Sequence, residues 1–269
     1  MHTEANLSTP HPTPSWPAVV REQFRVVGAS VRGELIVAAV LMAGTSLVML
    51  YYALRGERVN FVLVDMAVPA VLFGLVAPLG VWKGEEPARR AYLWALPVAR
   101  SRNTLVKVLG GWGWLMALVG AYLLWAVAIT LLTGGEFSVG GEYSQALTRR
   151  HLPPEQRIRE MTLEAWMWLV PFTGATVTYL IGTVVAVWTD RPWRWFAATA
   201  FVTFLFVQLV AGHYRGMDPM IDGVTVGRFG LVSVLTGMPS AAGWAGATVV
   251  WTVLALAAVV AAASRHQER

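Results

Sequence analysis

The sequence has no cysteine, which excludes a disulfide framework and any cysteine metal site. It has little charge: 14% Asp, Glu, Lys and Arg, against about 25% in a soluble domain. It has no Gly-x-x-x-x-Gly-Lys-Ser/Thr loop, so this chain does not cradle nucleotide phosphates in the P-loop manner. Acids are almost missing from the long apolar runs, where Asp65 is the one carboxylate well inside. The first residues also lack the basic-then-apolar pattern of a cleaved signal peptide.

What is there is apolar. Hydrophobic residues make up 56% of the 269, in runs of about 20 that match a hydrocarbon core of about 30 Å. Thirteen Trp suit a chain with many positions at headgroup level. The expectation is an all-α polytopic membrane protein. The formal net charge of +5 is not a nucleic-acid signal, because the basic residues sort by membrane side rather than forming one patch. No nucleic-acid partner is expected.

Residues 1–14 are polar and rich in Pro, Thr and His, and are expected to be a disordered cytoplasmic tail. His2 and His11 in such a tail do not make a metal site, and no metal ligands are expected elsewhere. Residues 15–33 are expected to be an amphipathic helix, with Ser15 as its cap and Pro17 in its first turn. Trp16, Val20, Phe24, Val27 and Val31 recur at helical spacing, while Arg21, Arg25 and Arg32 lie on the other faces. This pattern fits a helix on the membrane surface whose basic residues meet lipid headgroups. The plainer alternative is the cytoplasmic beginning of the first span.

Six spans are expected in the transmembrane domain 34–263: 35–54, 61–82, 104–132, 166–188, 195–212 and 241–263, followed by a polar tail, 264–269. The run within 213–240 is too short to cross and reads as a dip into the membrane. Thirteen Lys and Arg fall in the segments assigned to the inside and eight in the much longer outside loops. Both termini are therefore expected in the cytoplasm.

The densest basic cluster lies between the second and third spans: Lys83, Arg89, Arg90, Arg100, Arg102 and Lys107. Glu85 and Glu86 favour a helix N-terminus, Pro87 is tolerated in a first turn, and Pro97 stops the run. Ala88, Ala91, Tyr92, Ala95 and Leu96 share one face. A short cytoplasmic surface helix is expected here.

This arrangement resembles the type-two ABC exporter permeases. Trp82-Lys83-Gly84-Glu85-Glu86, followed by Leu96-Pro97-Val98-Ala99-Arg100, looks like the loop of that family, where a Glu-rich turn leads to a Leu-Pro-Val/Ile-basic stretch. The likeness covers residues 16–263 in layout and about 25 residues in motif; the long outside segment 133–165 departs from it. It implies a permease subunit in the inner membrane of a prokaryote, paired with a second copy or a related permease. An ABC ATPase subunit would dock on a coupling helix at 85–96, with Glu85, Glu86, Arg89, Arg90, Tyr92 and Leu96 as its contact residues. ATP and Mg would be bound in that partner; no cofactor is expected in this chain, and it would not itself be an enzyme. Apolar walls with few charges favour an amphipathic or lipid-like cargo.

Other readings compete. The run Glu85-Glu86-Pro87-Ala88-Arg89-Arg90 also fits Glu-Glu-x-x-x-Arg, which opens the active site of CAAX-type intramembrane proteases. The later histidine motifs of that family fail, because position 217 is Met and position 209 is Leu. A non-transporting anchor or sensing subunit is a further alternative. Asp65 is either a structural hydrogen-bonding group or part of an exit path, since an intramembrane carboxylate is a functional candidate. Gln208 lines a pathway or bonds between helices. Gly110, Gly113, Ala117 and Gly120, with Ala242 and Gly246, allow close helix approach within one chain or across a dimer seam. The Trp residues at 82, 166, 168, 188, 193, 195 and 244 read most simply as interfacial anchors.

Overall fold

The fold comes from a computed structural model, which describes residues 16–83, 100–138, 164–189, 193–198, 234 and 241–265. The described chain is mostly helical. Helix α1 spans Trp16–Ser30 and α2 spans Arg32–Leu54, separated by Val31. A two-residue strand β1, Phe61–Val62, leads into α3, Leu63–Val81. Then come α4, Arg100–Thr133, and a second two-residue strand β2, Phe137–Ser138. A 3-10 turn over Ala165–Leu169 opens α5, Val170–Trp188, and α6 covers Ala241–Arg265. Among the described residues, four stretches are long and apolar enough to cross a membrane: Arg32–Leu54, Thr104–Thr133, Ala165–Trp188 and Ala241–Ser264. Met66–Val81 is a shorter apolar stretch. The chain is a membrane-associated helical protein.

The centre of the bundle is the contact of α3 with α5. Small residues make it possible. A Cβ on Gly74 would stand 2.4 Å from the Ala175 carbonyl oxygen, and one on Gly182 would stand 2.7 Å from that of Leu75. In lipid there is no hydrophobic force between helices, so close backbone packing and hydrogen bonds hold them together. Thr178 adds one such bond: its hydroxyl lies 3.0 Å from the Val71 carbonyl of α3, as well as 2.9 Å from Gly174 in its own helix.

Helix α4 runs antiparallel to α5. The Tyr179 hydroxyl donates to the Val108 carbonyl, and the Trp112 indole donates to Thr176 at 3.1 Å. Helix α6 runs parallel to α5, as successive packing of Trp244 on Val170 and of Ala247 on Val177 requires. The Trp244 indole donates to the Thr173 hydroxyl at 3.2 Å, and its ring packs against Trp166.

An entirely helical chain is expected from the sequence, and the structure adds one small exception. β1 and β2 pair in parallel, Phe61 with Phe137 and Val62 with Ser138. The Phe61 amide donates to the Glu136 carbonyl, and the Glu136 amide donates to Asn60 Oδ1 at 2.9 Å. Gly135 is needed there, because any Cβ would fall 1.9 Å from the Val59 carbonyl oxygen. This pairing ties the start of α3 to the end of α4.

The expected run 166–188 is helical but not one regular helix: its first turn is 3-10, and the α-helix proper starts at Val170 with Pro171 at its beginning. Of the expected run 195–212, residues up to 198 lie in a short helical stretch, 193–198, and the rest falls outside the described residues. The tail 1–14, the segment 213–240 apart from residue 234, and most of 133–165 also fall outside them.

Candidate functional site

Helix α1 does not lie apart from the bundle. Phe24 stacks on Trp114 of α4 with ring centroids 4.9 Å apart, and the Trp114 indole donates to the Phe24 carbonyl at 2.9 Å. Gly110 and Gly113 form the seat: built Cβ atoms there would meet Val27 at 3.5 Å and the Phe24 ring at 3.0 Å. Gly28 leaves room for the Trp114 ring, which a Cβ would meet at 2.6 Å. Val27, Val31 and Val81 then close a small core, with Trp82 and Leu35 against it. Arg21, Arg25 and Arg32 stay exposed, while Trp16 begins the helix.

Helix α2 leaves this junction and packs sparingly. Ala38 is its one buried residue, and Ile36, Val40, Leu47 and Val48 are exposed. A hydrogen bond from the Trp125 indole to the Ser46 hydroxyl, 2.6 Å long, holds it against α4. Between α2, α3 and α4 the bundle leaves a groove of about 470 Å³. Val37 and Leu41 from α2, Phe73 and Val76 from α3, and Trp114 and Leu118 from α4 line it. Its charged rim is formed by Glu34 and Lys83, whose side chains meet at 3.9 Å. Both are exposed, Lys83 by 72%, so this pair adds little stability.

At the same end, α3 and α4 are joined by Lys107 and Trp82. The Lys107 ammonium sits 4.5 Å from the centre of the Trp82 ring, and Lys107 is only 9% exposed. A cation over an indole face is attracted by the ring quadrupole, by about 2 kcal/mol when desolvated. The Trp82 indole N–H is buried without a hydrogen-bond partner among the described residues. This joint stands where residues 84–99 leave α3 and enter α4.

The expected coupling residues Glu85, Glu86, Arg89, Arg90, Tyr92 and Leu96, and also Gln208, lie outside the described residues. Asp65 falls in the first turn of α3. The Trp expected as interfacial anchors differ in exposure. Trp244 is buried at 8% exposure, and Trp168 packs edge-on against Phe137, whereas Trp188, Trp193 and Trp195 are exposed. Sequence reading missed the groove, the Glu34–Lys83 rim and the glycine contacts of α3. The short spacing between Val31 and Glu34 and the charge on Lys83 were visible, but nothing in the sequence shows that these two ends meet.

The bundle and its groove place the chain in the class of helical, membrane-associated proteins. No family model, curated protein or solved structure matches it.

Proposed function

We propose that the chain is the transmembrane permease subunit of an ABC-type exporter, moving an amphipathic or lipid-like substrate across the cytoplasmic membrane of a prokaryote. A separate ATPase would supply ATP hydrolysis from beneath the 85–96 segment. The observation that carries this reading is the joint of Lys107 with Trp82. It couples the helix ends on both sides of the charged block to each other and, through Val81, to α1. Force applied to the block would thus reach three helices at once.

The six-span layout gains support from chain direction. Helices α5 and α6 run parallel, the relation that one further span between them would give. The apolar stretch 195–212 has the composition for that span. Both termini then face the side of Lys83 and Lys107, in agreement with the basic-residue count. The pairing with a second permease would use exposed apolar faces such as that of α2.

A second reading, a non-transporting anchor or sensing subunit, has one observation in its favour. Thr176, Thr178, Thr183 and Tyr179 all donate their hydroxyl protons to helix backbone, which leaves them only acceptor capacity toward a polar path. The deciding experiment is a mild-detergent pull-down of the chain, repeated with Glu86→Arg and Arg90→Glu. A P-loop ATPase that co-purifies with wild type and is lost from the variant supports the exporter. Absence of any ATPase with the wild-type chain sinks it.

A further inference from the structure

The groove has the length of one lipid tail. From Val31, just before α2, its lining runs to Leu41, about 15 Å at about 1.5 Å per residue. That is about half of a hydrocarbon core of about 30 Å, the depth of a single leaflet. The groove therefore has the length of one extended acyl chain reaching through a single leaflet.

Its surroundings agree. Val37, Leu41 and Val76 line the groove and are also exposed, so it opens sideways, where lipid would stand. The charged atoms of its lining are those of Glu34 and Lys83, at one end. Lys83 is the more exposed of the two, and its pairing with Glu34 at 3.9 Å is loose, so its ammonium stays open to a second anion. An anionic headgroup would compete with Glu34 for Lys83.

We infer that this groove binds one acyl chain of an anionic phospholipid from the leaflet on the Lys83 side, with the lipid phosphate held by Lys83. This inference needs the membrane setting but not the exporter assignment. A failed ATPase pull-down would leave it standing.

The test uses the full chain in nanodiscs of phosphatidylcholine doped with a phospholipid that carries a photoreactive group midway along one acyl chain. The headgroup of that probe is either phosphatidylglycerol or phosphatidylcholine, and labelled peptides are found by mass spectrometry. The expected result is stronger labelling of the 73–81 and 111–118 segments by the anionic probe. Val76→Trp, or Leu41→Trp on the exposed side of the groove, should cut that labelling several-fold and leave labelling around Val253 and Leu254 of α6 unchanged. Lys83→Gln should reduce the anionic preference about fivefold, the factor that one basic residue near a lipid surface supplies, and Glu34→Gln should raise it. Equal labelling by the two headgroups, or groove labelling that follows the α6 face in every variant, would overturn the inference.

Discussion

The hydroxyl of Tyr179 donates to the carbonyl of Val108 at 2.9 Å, and one helical turn further along α4 the chain has Gly111, where a built Cβ would lie 2.2 Å from that same hydroxyl. The bond and the glycine are one feature. A larger residue at 111 would drive the tyrosine out of the contact that joins α4 to α5.

Tyr179→Phe should therefore cost little, about 0.6 kcal/mol and at most about 1.7, the range for interhelical hydrogen bonds in membranes. Gly111→Ala should cost more, about 1–3 kcal/mol, as overpacking does. The double variant should lose less than the sum, because removing the hydroxyl relieves the closest clash. Thermal unfolding in one detergent, measured for all four proteins, checks this; additive losses would mean that the two positions do not meet.

At the centre of the bundle the obstruction is backbone and cannot swing aside. Gly74→Ala and Gly182→Ala should each destabilise by at least about 2 kcal/mol, near the upper part of the overpacking range. Gly33→Ala and Gly44→Ala, where nothing among the described residues lies within 4 Å, should be neutral or gain up to about 1 kcal/mol from helix propensity. Equal effects at the two pairs of sites would contradict the packing of α3 on α5.

Lys107→Met should lower stability by up to about 2 kcal/mol, and Lys107→Arg should retain most of it, because a guanidinium also rests on an indole face. If the exporter reading holds, Lys107→Met should also weaken the link between ATP hydrolysis and transport more than it weakens ATPase binding. A parallel loss of binding and transport would point to simple unfolding.

Gly135→Ala should open the strand pairing at the other end, since its Cβ cannot avoid the Val59 carbonyl. Hydrogen exchange at the Phe61 amide is the direct reading, and should quicken in this variant while the amides of α5 keep their protection. Asn60→Ala should have a smaller effect of the same kind, because it removes the acceptor for the Glu136 amide alone.

The helices were readable from the sequence because the length of an apolar run needs only one physical quantity, the thickness of the bilayer. The expected run 35–54 lies within α2, and 104–132 lies within α4, which begins earlier and takes Arg100 and Arg102 into the helix. What joins the helices was less readable. Gly110 and Gly113 stood out as a stripe of small residues, but the stripe alone does not say that Phe24 of α1 is what rests there. Gly74 and Gly182 sit in uniformly apolar stretches with no periodic signal. Trp244 has the composition of an interfacial anchor, and only its contact with Thr173 shows it buried. The groove is further from the sequence still, since it is the space left where α2 fails to pack on α3.

The two-residue pairing of Phe61–Val62 with Phe137–Ser138 has a mechanical consequence. It acts as a fixed pivot. Relative motion of α3 and α4 becomes an arc centred on that end, and its amplitude grows with distance from it. Over the 19 residues of α3, about 28 Å of helix, a swing of about 5° displaces the far end by about 2.5 Å. The far end is where Trp82 and Lys107 meet, so their contact acts at the full length of the lever and limits that swing more effectively than any tie nearer the pivot.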